Sequence, residues 1–527
     1  MIKHDKPDEH SREYLLERYT DLIGYTGSFV SIIGGLYLVP LLVLIFYSED
    51  IADAWGFIVT SLLLIVSGGY VSRRYSPDTP TRFTPQESAV IVILVWLIGI
   101  LGGALPFMFH ADLGFAQAVF ESTSGWTTTG LTMVDVTEVS RVVLFYRSFI
   151  QFLGGLGFMI IALTVLSGSV GVMEAEGHND RLGIGVKGTA RQVLAIYGGY
   201  AFFGVALLRL VGMDWFDAVN HAFTALSTGG FSTKPESIAH WDSASVEAVI
   251  ILLMILGGTN FLTAFTILRG RVRRALRCHE LRFAVAVGAI AIITLLLFTT
   301  LSHYPTVGQA VRVAVFESVT AISGAGFNIA DYPSLPRFAW MVIIILMLMG
   351  GVSGSTSGGI KLFRIYILLR SVLWEIKYLL FWPHVVKQPK IVQQSNRSIP
   401  VNDHHVRQIA VFISGYVFSL LVGVAVLVHN GHAIGDSLFE FASAIGTVGL
   451  SVGITSPEMP VGAMWVMSLA MLLGRLEFYA VVIGIAKLVI DTRDVMAHDD
   501  EDDDASEVDD LPPLEPVQEA EPEAATR

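Results

Sequence analysis

Apolar runs separated by short polar stretches cover most of this chain, and the runs come in two lengths. The long ones approach or exceed the roughly 20 residues a helix needs to cross a bilayer. They predict spans at 28–48, 55–71, 88–109, 142–166, 193–212, 246–268, 281–302, 337–369, 408–429 and 461–490. The short ones, 115–126, 215–226, 311–322 and 437–445, predict helices of two or three turns, each between two long runs. Non-helical backbone at membrane depth is tolerated only where it is buried in protein or lines a wet cavity. A half-helix that enters and a loop that leaves satisfies that rule. The first two spans precede any such unit.

The loops after the short helices share a pattern: a glycine, then Leu or Phe, then Ser, Thr or Asn. The glycines are Gly130, Gly230, Gly326 and Gly449. Nine residues before them stand Glu121, His221, Glu317 and Glu440, and Phe120, Phe316 and Phe439 precede the three glutamates. One such loop is ordinary composition; four with a shared upstream Phe-Glu are a repeat. The chain therefore divides into an N-terminal segment 1–27, two extra helices at 28–72, and repeats at 88–166, 187–268, 281–369 and 405–490. An acidic tail, 495–527, follows. The predicted fold class is an all-α polytopic membrane protein, with two extra transmembrane helices ahead of four helix–pore-helix–loop–helix repeats.

Composition agrees. Hydrophobic residues make up 53% and charged residues 15%, against about a quarter charged in soluble domains. Lys and Arg concentrate in 72–87, 167–192, 269–282 and 361–407 and are sparse in the segments that carry the glycine loops. The positive-inside rule then places both termini in the cytoplasm and brings the loops in from outside. The N-terminal 20 residues have no signal-peptide core. The single Cys278 excludes an intramolecular disulfide. HDDEDDDASEVDD at 498–510 opens a tail whose composition cannot bury a core and reads as disordered. Gly183-Ile184-Gly185-Val186-Lys187-Gly188 fits G-x-G-x-x-G, but no strand precedes it, so a dinucleotide site is not expected. No metal-ligand cluster or nucleophile motif marks an enzyme. No cofactor is expected in the chain, nor a nucleic-acid partner; membrane lipid is the partner its surface requires.

Four glycine loops around one axis have a chemical use. A cation leaving water needs oxygen ligands, and a ring of backbone carbonyls supplies them without fixed charge. Thr127, Thr128, Thr129, Ser227, Thr228, Ser323 and Thr447 add hydroxyls nearby. The alternative is that the glycines only permit close helix packing. Glu121, Glu317 and Glu440 either attract cations or, the preferred reading, accept hydrogen bonds from loop backbone, because a buried unpaired charge is costly. The run Gly350, Gly351, Val352, Ser353, Gly354, Ser355, Thr356, Ser357, Gly358, Gly359 interrupts a long apolar segment, as broken helices at binding sites and gates do. Arg475 lies mid-span, where an arginine must face a cavity or a partner. A local pair with Glu477 is the weaker reading, since positions two apart face different sides of a helix.

TTTGLT, STGGFST, GAGFN and TVGLS, in this order, resemble the filter motifs of the Trk/Ktr/HKT superfamily of potassium uptake proteins. The TrkH branch is the most similar, because it carries two extra spans before four repeats. The resemblance covers about 28–490. It implies a pseudo-tetrameric channel in the cell membrane, working as a homodimer with a cytosolic TrkA-like nucleotide-binding regulatory subunit. It implies that potassium, the substrate and the only metal involved, contacts Thr128, Thr129 and Gly130; Thr228, Gly229 and Gly230; Gly324, Ala325 and Gly326; and Thr447, Val448 and Gly449. Family members with Ser at the first filter glycine favour sodium, so Gly130 speaks for potassium. It also implies that 350–359 is an intramembrane gate loop and that Arg475 sits near it beneath the filter. The alternative is a symporter that couples potassium to sodium or protons, but the spans are poor in the acidic and His residues such coupling uses.

Overall fold

The computed structural model describes residues 12–75, 83–165, 186–381, 390–392, 398–476 and 478–509. Residue 477, the glycines at 183 and 185, and the tail from 510 onward lie outside them.

Two helices come first, α1 (Arg12–Leu36) and α2 (Ala54–Tyr75), joined through 3-10 turns at Val39–Ile45 and Ser48–Asp53. The sequence reading started the first span at residue 28, but the helix starts at Arg12. Its charged first turns are docked rather than free. Arg18 donates to Glu87 at 2.7 Å, and the Tyr19 hydroxyl donates to Asp491 at 2.7 Å.

Four repeats follow. The first is α3 (Pro85–His110), the short α4 (Phe115–Trp126) and α5 (Arg141–Val165). The second is α6 (Val186–Leu210), the short α7 (Trp215–Leu226), and a closing helix split into α8 (Ala244–Gly257) and α9 (Phe261–Leu268). The third is α10 (His279–Leu295, prolonged by a π turn at Leu296–Thr300), the short α11 (Val307–Ser323), α12 (Arg337–Met349) and α13 (Leu362–Leu380). The fourth is α14 (Asp403–His429), the short α15 (Ile434–Ile445), α16 (Val461–Leu476) and α17 (Phe478–Asp509). Local chemistry sets several starts. Thr84 and Glu87 form a capping box with Pro85 in the first turn of α3, and the Asp214 and Thr306 side chains cap α7 and α11.

Among the described residues, six helices are long and apolar enough to cross a membrane, and α8 and α12 are shorter apolar helices. The sequence reading treated 246–268 and 461–490 as single spans. Instead the closing helix breaks at 258–260 in repeat two, and α16 and α17 bend by 104° in repeat four. An antiparallel hairpin, β1 (Lys390–Val392) with β2 (Ser398–Pro400), is a small addition to the helical fold. Its Ile391 packs on Phe363, Ile367 and Ile409. The helix of α17 continues through 495–509, a stretch the composition assigned to the disordered tail.

The short helices α4, α7, α11 and α15 hold the centre. Each is enclosed by the long helices of its own repeat and its neighbours, so Phe120, Phe316 and Phe439 are fully buried.

Candidate functional site: a ring of four loops

Each short helix ends in the same turn. The amide of the residue before the ring glycine donates to a carbonyl five residues back: Thr129 to Ser124, Gly229 to Thr224, Ala325 to Thr320 and Val448 to Ser443, at 2.8–3.0 Å. Positive φ then occurs twice in each loop. Thr128, Thr228, Gly324 and Thr447 have φ of 55°, 55°, 72° and 51°, and Gly130, Gly230, Gly326 and Gly449 have 96°, 73°, 77° and 98°. Three of the first group are threonines held where side chains rarely sit, a local cost of order 1–3 kcal/mol each that the surroundings must offset.

The four loops close on one another. A β-carbon on Gly130 would collide with the Gly229 carbonyl oxygen, one on Gly230 with Ala325, one on Gly326 with Val448, and one on Gly449 with Thr129. Each glycine Cα therefore lies against the carbonyl that precedes the ring glycine of the next loop, and the fourth loop returns to the first. Glycine is required twice over, by φ and by contact.

The acids nine residues upstream fasten each loop as it leaves the ring. Glu121 accepts from the Met133 amide at 2.8 Å and from the Thr132 hydroxyl at 3.1 Å. Glu317 accepts from the Ile329 and Ala330 amides at 3.0 and 3.1 Å and from the Tyr332 hydroxyl. Glu440 accepts from the Val452 and Thr455 amides at 2.9 and 3.0 Å and from the Ser451 hydroxyl at 2.7 Å. In all three, the amide three residues after the ring glycine is taken. His221 makes the corresponding link in repeat two through Ser232 Oγ, at 3.0 Å.

On one side of the ring lies a cavity of about 500 Å³, lined by all four ring glycines, with Asp135, Lys234 and Arg147 around it. On the other side lies the Gly/Ser run. Residues 350–361 are buried throughout. Thr356 Oγ1 is 3.2 Å from Thr228 Oγ1; a β-carbon on Gly324 would meet Ser357 Oγ at 2.8 Å, and one on Gly358 would collide with Thr447 Oγ1. Three of the positive-φ residues two before the ring glycines, Thr228, Gly324 and Thr447, thus rest on the run. The run turns through Gly350, Gly354 and Gly359, all with positive φ. Its amides at Val352 and Thr356 donate to the carbonyls of Gly258 and Gly257, which the break in repeat two leaves open. Gly351 donates to Ser357 Oγ at 3.0 Å. Asn260 Nδ2 donates to the Ser353 carbonyl at 2.7 Å, and Glu280 accepts from the Ser353 amide at 2.6 Å. Arg475, 2% exposed, donates to the Thr356 carbonyl and, at 2.9 Å, to that of Gly154.

Two residues of α5 escaped the sequence reading. Arg147, 1% exposed, donates to Glu121 at 2.8 Å, to Thr132 Oγ1 at 2.7 Å and to the Ser232 carbonyl at 3.2 Å, and lies 4.1 Å over the Phe231 ring. Gln151 bonds both sides of Gly230. Arg147 carried the signal that singled out Arg475, a charge inside an apolar span. Among the described residues no group of His, Cys, Asp and Glu could hold a metal ion by side chains. What the ring offers a cation is carbonyl and hydroxyl oxygen, and the buried hydroxyls of Thr128 and Thr447 have no protein partner.

Comparison with known proteins finds a family, relatives in sequence and a solved structure of like fold. The TrkH family model, described as a cation transport protein, matches residues 57–492. The chain is 32% identical over 467 residues to the Trk system potassium uptake protein TrkH of Halomonas elongata, covering 84% of this chain and 93% of that one. It is 29% identical over 473 residues to an uncharacterized cation transporter of Methanocaldococcus jannaschii, covering 88% and 95%. Among solved structures, the crystal structure of the potassium transporter TrkH from Vibrio parahaemolyticus superposes with a TM-score of 0.79 at 25% identity, over 88% of this chain and 98% of that one.

Proposed function

The chain belongs to the TrkH family of cation transport proteins, a multi-pass membrane protein, and on that premise we propose that it takes up potassium through the ring of four loops. The observation that carries this reading is the closure of the ring, each glycine against the next loop's carbonyl. Carbonyls held that way replace a cation's hydration shell without a fixed charge. The short helices end at the ring, so their negative ends favour a cation there. In this reading potassium meets Thr128, Thr129, Gly130, Thr228, Gly229, Gly230, Gly324, Ala325, Gly326, Thr447, Val448 and Gly449. Glu121, Glu317 and Glu440 hold the loops in shape.

The run 350–359 acts as the gate, and Arg475 steadies it. A loop at membrane depth needs its carbonyls satisfied, and a guanidinium has five donors to give. The distribution of Lys and Arg supports a cytoplasmic position for this face and for both termini, in a protein of the cell membrane. There a nucleotide-binding, TrkA-like ring engages a homodimer and moves the loop. The relatives' name, Trk system potassium uptake protein, supports both the ion and a multicomponent system.

The test is ion flux into liposomes holding this protein alone, comparing potassium, rubidium and sodium at set voltage. Flux that follows the electrochemical gradient, with potassium and rubidium far ahead of sodium, is expected. Accumulation driven by a sodium or proton gradient would replace the channel by a symporter.

A further inference from the structure

Loop two differs from its three counterparts at one position. Before the ring glycine the others carry a side chain, Thr129, Ala325 or Val448; loop two has Gly229 followed by Gly230. Two adjacent glycines are the most mobile dipeptide a chain can contain, a poor choice where carbonyls must stay in place.

The missing stiffness comes from another helix. Gln151 of α5 is fully buried. Its Nε2 donates to the Gly229 carbonyl at 2.7 Å, and its Oε1 accepts from the Phe231 amide at 3.1 Å. One side-chain amide thus brackets Gly230 from both sides, as a neighbouring strand would. A β-carbon on Gly229 would collide with the Gln151 amide group, so the double glycine and the glutamine are two halves of one arrangement. One turn away on the same helix, Arg147 ties Ser232 of loop two to Glu121 of α4 in repeat one. Among the described residues, no side chain makes such a bracket around Gly130, Gly326 or Gly449.

We propose that Gln151 is a positioning residue for ion selectivity, which fixes the carbonyl of Gly229 and the place of Gly230 in the ring. This rests on the reading of the ring as the selectivity filter. Removing the amide leaves a buried amide and a carbonyl without their partner and frees a double glycine beside the ion path. Sodium, the smaller ion, gains most when a carbonyl is free to move inward, so discrimination falls more than flux.

The experiment measures the potassium-to-sodium permeability ratio of the full chain in liposomes, with monodisperse elution and melting temperature as controls for folding. Gln151→Leu is expected to lower the ratio roughly tenfold, about 1.4 kcal/mol of discrimination. Gln151→Glu keeps the shape but sets oxygen against the Gly229 carbonyl, and lowers the ratio as well; it serves should the leucine variant not fold. Gly229→Ala is damaging alone and much less so combined with Gln151→Ala, where the β-carbon has room. That non-additivity reports the contact between the two residues; the permeability ratio is the readout that a merely structural glutamine would leave unmoved. Gly230→Ala is the reference. If Gly230→Ala changes the ratio while the folded Gln151 variants do not, or the double variant is simply additive, the glutamine has no positioning role and the filter reading stands. If neither position changes the ratio, the filter reading itself falls, and this inference with it.

Discussion

At the ring every repeat contributes alike: a helix end, two positive-φ residues, a glycine against a neighbour's carbonyl, and an upstream acid or His221 that fastens the loop. One layer away the repeats diverge. Repeat three alone inserts a glycine-rich run; repeat four supplies Arg475, repeat one the Gly154 carbonyl, and repeat two the open carbonyls of Gly257 and Gly258 with Asn260. An ion on an axis is best held by equal ligands, so discrimination favours repetition. Control favours a single unlike part, because an element with two positions is biased by whichever contacts differ between them. The contrast is a claim about mechanism: damage to the repeated layer should change which ion passes, and damage to the unlike layer should change how often any ion passes.

The largest effect should come from the ring. Gly326→Ala puts a β-carbon onto the Val448 carbonyl at a φ of 77°. Flux should fall to background, or the potassium-to-sodium ratio should collapse. Gly130→Ser, which meets the Gly229 carbonyl, should act in the same direction. Gly431→Ala is the control. Its φ is 94°, but nothing lies within 4 Å of the added carbon. It should cost only backbone strain, about 1 kcal/mol, and leave the ratio unchanged. A Gly326→Ala protein that folds and selects as before would remove the basis of the comparison.

Next in size is the opposite kind of change. Arg475→Ala removes donors from the Thr356 and Gly154 carbonyls and should raise flux without any regulatory partner several-fold at an unchanged ratio. Shortening the run by deleting Ser353 to Ser355 should do the same. Single-channel recording separates opening from conductance. A folded variant no more active than wild type would mean that the run is not the gate, and a changed ratio would mean that the two layers are one.

Smaller again is Glu440→Gln. The amide keeps the shape but accepts through one oxygen only, so at least one donor among Ser451, Val452 and Thr455 loses its partner, a loss of about 1–3 kcal/mol. The melting temperature should fall, with a modest loss of potassium preference. If Glu440 acted instead by attracting cations, potassium flux would fall at low salt and recover at high salt, with stability unchanged.

The repetition was legible in the sequence because it is local. A glycine motif, a Phe-Glu nine residues upstream and an amphiphilic half-turn pattern all lie within 15 residues of one another, so the short helices and their loops were found nearly at their observed bounds. What the sequence withheld is what lies between repeats. Nothing in it says that loop one faces loop two, so the order of the ring and the bracket from Gln151 appear only in three dimensions. A glutamine in an apolar run is too weak a signal, and the charge of Arg147 inside its span does not name its partner until Glu121 is seen beside it. The break after Gly257-Gly258 lay inside what reads as one apolar span, 246–268, and its use, two carbonyls left open for the run, depends on repeat three. The charges before residue 28 hid a helix because their partners, Glu87 and Asp491, are far along the chain.

The smallest expected effect lies where neither layer reaches. The family match ends at residue 492, and the acidic residues that follow lie on α17 beyond Asp491, which accepts from the Tyr19 hydroxyl of α1. Composition gives the segment nothing to bury, and a helix rich in like charges is held together by little beyond propensity. Deleting 498–527 should therefore leave uptake, selectivity and membrane abundance as they are, measured by potassium-dependent growth and by flux into liposomes. The deletion also sharpens the contrast between the layers. If abundance stays normal but uptake in cells falls while liposome flux does not, the acidic segment serves a soluble partner with basic surface. Control would then have a second unlike part, outside the membrane, beside the run and Arg475.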